Sequence, residues 1–116
     1  MINLGEWIGN DAFLKYHIVS PIKVGEELTT EELLPRVKSL GFSIAKPRAI
    51  SELGIPREIL KNLKVLKLHT INPDHSEEAL DCSGGGYAFF KPIPPLLFQP
   101  RKWTHEDSFL CTALDA

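Results

Sequence analysis

The chain has 116 residues, 43% apolar and 24% charged, with a formal net charge of −2. That length suits a single domain, 1–116, too short for two independent cores and too apolar to remain disordered. No stretch nears the 18 consecutive apolar residues of a membrane span, and two cysteines do not make a disulfide framework.

Residues 1–10 carry Glu6 and no basic side chain, which does not read as a secretory signal; the expected setting is soluble and cytoplasmic. Residues 12–19 alternate, with Ala12, Leu14, Tyr16 and Ile18 on one face and Phe13, Lys15, His17 and Val19 on the other. This predicts a strand. Gly9, Asn10 and Asp11 are turn formers before it, and Ile2, Leu4 and Ile8 supply a partner strand, giving an N-terminal hairpin.

Thr29 and Glu32 fit a capping box, in which each residue answers an orphan backbone donor of the other. Leu33, Leu34, Val37 and Leu40 follow at helical spacing, and Gly41 stands where a left-handed C-cap belongs. Pro35 is the misfit, since beyond the first turn it costs one backbone hydrogen bond. Pro56 predicts a second helix, about 56–63, because its missing donor is harmless in a first turn. Its inner stripe is Ile59, Leu60 and Leu63. Residues 65–71 read as a strand with Leu66 and Leu68 inward, Lys67 and His69 outward, and His69 solvated. Asn72, Pro73 and Asp74 form a turn. The polar stretch 73–86, ending in Gly84, Gly85 and Gly86, reads as a loop. Residues 87–90 begin a further strand, and Pro92, Pro94, Pro95 and Pro100 then favour extended polyproline-like backbone. Thr104 and Asp107 would cap a last helix with Phe109, Leu110, Ala113 and Leu114 inside. The expected architecture is α+β: an antiparallel sheet of three to five strands with two or three helices packed on one face.

Three functional readings follow. The proline-locked run from Lys91 to Pro100 would present Ile93, Leu96, Leu97 and Phe98, with Trp103 close by, to a groove on a protein partner. A strip of that kind also suits a homodimer. This favours a small protein-binding module, regulatory or inhibitory, acting through a protein partner. The alternative is nucleic acid. Residues 46–67 hold six basic side chains against two acidic ones, and 49–64 has the outline of a helix-turn-helix with Arg57, Lys61, Lys64 and Lys67 facing phosphate. Against it, the whole chain is negative, whereas phosphate contacts dominate the affinity of DNA binders. The third reading is a small enzyme built around Cys82, a glycine-flanked thiol with His17, His69 and His75 upstream. Asp81 beside it opposes a thiolate. His69, Asp74, His75, Asp81 and Cys82, or His105, Glu106, Asp107 and Cys111, match no metal-ligand spacing. The sequence assigns no catalytic residue, cofactor or metal.

Overall fold

The computed structural model describes residues 2–45, 55–56, 67–81, 87–94 and 101–114. Among them are eight strands: β1 (Ile2–Asn3), β2 (Tyr16–Val19), β3 (Phe42–Ile44), β4 (Ile55–Pro56), β5 (Lys67–Ile71), β6 (Glu77–Asp81), β7 (Tyr87–Pro92) and β8 (Asp107–Ala113). Two helices accompany them, α1 (Leu4–Ile8) and α2 (Thr30–Ser39), with a 3-10 turn at Asp11–Phe13. The sheet runs β1-β2-β8-β5-β6-β7-β4, and β3 also pairs with β8. The α+β class holds, but the sheet is larger than expected and mixed: β5 lies parallel to β8, with Lys67 opposite Asp107 and His69 opposite Phe109.

Strand β8 organises the molecule. Along one edge it pairs with β2, from Val19 opposite Phe109 to Tyr16 opposite Thr112. Its other edge is shared, β5 taking residues 107–109 and β3 taking residues 111–113. Residues 107–111 are all buried, because both faces of the strand are covered. Leu110 joins Leu4, Phe13, Tyr16, Ile18, Leu68 and Phe90 in one core. Phe109 and Cys111 join Val19, Leu33, Val37 and Trp103 in the other. The helices therefore flank the sheet rather than sharing one face: α2 contributes Leu33 and Val37 to the second core, and the α1 region contributes Leu4 and Phe13 to the first. The last helix predicted from Thr104 is β8 instead. A strand buried on two sides loses the alternation that marks a half-exposed one, so its apolar run reads equally well as helix.

The capping box of α2 is present. Thr29 Oγ1 accepts from the Glu32 N–H and a Glu32 carboxylate oxygen accepts from the Thr29 N–H at 3.1 Å. Gly41 has φ 90°, the left-handed turn expected after the helix, and Pro35 lies exposed inside it. Arg36 ties α2 to the preceding connection through two hydrogen bonds to Glu26, at 2.7 and 2.8 Å. Those bonds from Arg36, with the Lys23 N–H, pull the Glu26 carboxyl down to about 2. Thr29→Ala is expected to lower stability by about 1 kcal/mol, within the 0.5–2 range of such caps. Urea unfolding checks this, and an unchanged midpoint would refute it.

Three other expectations are corrected. The N-terminal hairpin is shorter than read: β1 pairs Ile2 with Ile18, but Leu4–Ile8 is helical, and residues 11–13 form the 3-10 turn. Gly5 is needed there, because a Cβ would stand 2.6 Å from Leu14 Cα and 2.7 Å from the Phe13 carbonyl carbon. Pro56 is in a strand rather than in a first helical turn: with Ile55 it forms β4, paired to β7 and, among the described residues, at the end of the sheet, where a proline without N–H is tolerated. Residues 57–63 lie outside the described residues. The stretch 73–86 is not all loop, since Glu77–Asp81 is β6, joined to β5 by the turn read at Asn72–Asp74 and to β7 on its other side. No helix among the described residues is long and apolar enough to cross a membrane.

Candidate functional site

Two features stand out chemically. The first is a buried polar cluster where β5 meets β8. Parallel pairing sets His69 beside the start of β8. Its Nε2 lies 3.3 Å from Asp107 Oδ1, and both side chains are about nine-tenths buried. The other Asp107 oxygen accepts from the Thr104 N–H at 2.9 Å, while the Asp107 N–H donates to the Thr104 carbonyl at 3.0 Å. Thr104 and Asp107 thus cap each other as their spacing suggests, but at the entry to a strand. Burial by itself pushes the Asp107 carboxyl up. The His69 imidazole, the Thr104 N–H and the charge of Arg101 outweigh it and hold the group below its ordinary value.

The His69 ring packs edge-on to Trp103, with centroids 4.9 Å apart, and lies 5.9 Å from Phe109. Trp103 is fully buried. Its backbone exchanges two hydrogen bonds with Leu28, and its Nε1 donates to Thr30 Oγ1 at 3.0 Å. Arg101 lies over the Trp103 ring at 4.3 Å, and its Nε is 3.1 Å from Glu77 Oε1. Burial raises the Glu77 carboxyl, and the nearby Arg101 and His69 only partly offset that rise. Strand β6, the turn before β8 and the first residue of α2 are locked to one another through this cluster.

A carboxylate beside an imidazole is the arrangement that orients a general base. Here the imidazole is 6% exposed and held against two aromatic rings. A general base must reach the proton it takes, and this one is walled in by side chains that also carry the core. The cluster acts structurally. It corrects the reading of His69 as solvated: the outer face of β5 is not outer, because Trp103 and Phe109 cover it.

The second feature is an open groove of about 290 Å³ between α2 and β3, walled by Leu34, Val37, Lys38, Phe42, Ile44 and Leu114. Leu114, 41% exposed, lines it, and its N–H donates to the carbonyl of Gly41 at 2.9 Å, the residue after Leu40, which is 49% exposed.

The residues singled out from sequence fall differently. Trp103 has no surface to offer a partner, so its assignment to a docking strip is corrected to the core. Ile93 is half-buried, its N–H donating to the Glu77 carbonyl at 2.9 Å. Leu96, Leu97 and Phe98 lie outside the described residues, as do Arg57, Lys61, Lys64 and Cys82. Lys67 opens β5 through its backbone. Cys111 is a buried core residue on β8, and burial pushes its thiol up to about 12. Among the described residues no three His, Cys, Asp or Glu side chains form a group that would hold a metal ion. Sequence reading missed the pairing of Glu77 with Arg101 and the groove, since both depend on segments distant along the chain. No family model matches this chain, and comparison with curated proteins and with solved structures finds no similar one.

Proposed function

We propose that this chain is a small protein-binding module that acts through a protein partner, regulatory or inhibitory in role. The observation that carries the reading is the apolar groove between α2 and β3. Leu114 is exposed in its lining while Leu34, Phe42 and Ile44 are half-covered, and Leu40 is exposed next in sequence to Gly41, whose carbonyl accepts from the Leu114 N–H. Exposed apolar side chains around a groove on a small domain suit an interaction site. The His69–Asp107 pair is consistent with the same choice, because among the described residues this acid–imidazole pair is buried in the core rather than open to a substrate.

The expected result is recovery of a stoichiometric protein with the tagged wild-type chain, unaffected by nuclease and lost with the double variant Leu40→Gln, Leu114→Gln. Circular dichroism of the variant verifies that its fold is retained. Recovery of nucleic acid alone, or a partner indifferent to both substitutions, would overturn the reading.

A further inference from the structure

The inference rests on the protein-binding reading and names the chemistry of the partner. In the β3·β8 pair, Leu114 donates to the Gly41 carbonyl and Ala45 donates to the Leu110 carbonyl at 2.8 Å, with Ser43 opposite Thr112 between them. Bonded and non-bonded pairs alternate along an antiparallel ladder. Residues 41, 43 and 45 therefore turn their backbone groups toward β8, and Phe42 and Ile44 turn theirs away. Among the described residues no strand pairs with that outer edge. Proteins commonly blunt such an edge with charge or proline, because it is a template for another strand. Here the edge carries no charge or proline: Phe42 and Ile44 flank an exposed Ser43, and all three line the groove.

One charge stands in the groove wall. Lys38 is exposed and has no ion-pair partner among the described residues, whereas Arg36 two positions earlier is committed to Glu26. We propose that the groove takes an extended, apolar segment of a partner protein bearing a carboxylate, which adds as a strand to the outer edge of β3 and sets that carboxylate against Lys38. A helical segment would leave the outward groups of Phe42 and Ile44 unanswered, since its own backbone bonds are internal. A basic segment would repel Lys38. A second copy, paired two-fold about β3, would bring two Lys38 ammonium groups beside one strand pair.

The test uses the full chain and a blocked peptide of sequence Thr-Val-Glu-Val-Thr-Val, with a second peptide carrying Lys in place of Glu. Saturation with the first is expected to slow amide exchange at Phe42 and Ile44 by about tenfold or more while Ser43, already bonded to β8, is unchanged. The Glu peptide should bind about two- to fivefold tighter than the Lys peptide, the worth of one exposed ion pair, and Lys38→Glu should invert that order. Unchanged exchange at Phe42 and Ile44, or a preference indifferent to Lys38→Glu, overturns the proposal. Protection of Phe42 and Ile44 in a peptide-free dimer assigns the edge to a second copy and overturns it too. The protein-binding reading survives any of these results if the Leu40, Leu114 variant still loses the captured partner, and fails with the proposal if it does not.

Discussion

Trp103→Ala is expected to leave the chain largely unfolded at neutral pH and room temperature. Trp103 is the largest of the fully buried side chains, and the second core converges on it. Phe109 packs edge-on at 4.9 Å, His69 does the same, and Arg101 covers its other side. Truncating a buried tryptophan typically costs about 3–5 kcal/mol through lost transfer energy and an uncollapsed cavity. Total stabilities run to about 5–15 kcal/mol, so the loss consumes much of what a chain this size holds. The site is worse placed than most for relaxation, because the Trp103 backbone is pinned to Leu28 on both hydrogen bonds and cannot move into the void. Trp103→Phe keeps one of the two fused rings and so leaves a smaller void, and it gives up the Nε1 bond to Thr30, a half-exposed residue. It should cost far less. Urea unfolding of the two variants, followed by far-UV circular dichroism, provides the comparison. A folded Trp103→Ala with a wild-type midpoint would show that the second core does not depend on this ring.

Asp107→Asn is expected to cost about 2 kcal/mol at pH 7, within the penalty for a buried polar group left without its hydrogen-bond partner. The substitution keeps the shape but removes the carboxylate beside His69 Nε2, and it weakens the acceptor that holds the Thr104 N–H. The cost should depend on pH with a definite sign. Asp107 ionises in the folded chain below its ordinary value of 3.8, so the folded state holds fewer protons than the unfolded state in that interval. Its contribution is complete above the unfolded value and is lost as pH falls through the lower folded one. Glu77 works in the opposite direction. Its folded value is raised above 4.5, so the fold gains relative to the unfolded chain as Glu77 takes up its proton on acidification. Wild type and Asp107→Asn should therefore differ most near neutrality and converge as pH falls toward 3. Urea midpoints at pH 7, 5 and 3 measure the convergence; a constant gap would mean that the carboxylate's charge contributes nothing to the fold.

The parts of this protein legible in its sequence are those decided within a few residues. Helix α2 announces itself because the capping box, the apolar stripe and the glycine after it act over distances of three and four residues. The Asn72–Asp74 turn and the Tyr16–Ile18 face of β2 are legible for the same reason. Strand β6 is not, since Glu77, Glu78, Ala79 and Leu80 are all half-buried and show no alternation to mark a face. Nor is β8, whose Phe109 and Leu110 serve two different cores. Its identity as the central strand depends on β2, β3 and β5 arriving on its two edges from sequence positions far away.

The sites divide along the same line. Local chemistry marked His69, Asp107 and Trp103 as unusual residues, but their roles turn on which face of the sheet is covered. Once Trp103 lies under Arg101 and beside Phe109, an aromatic that composition alone would offer to a partner becomes core, and a histidine that alternation alone would leave in water becomes buried against a carboxylate. The sequence by itself determined the helix caps, the turns and the apolar content that requires a core. Only the tertiary structure decided which apolar residues were used up in the core and which, at Leu40, Leu114 and the edge of β3, were left facing solvent. Burial is a property of the pairing between distant strands, and no local pattern encodes it.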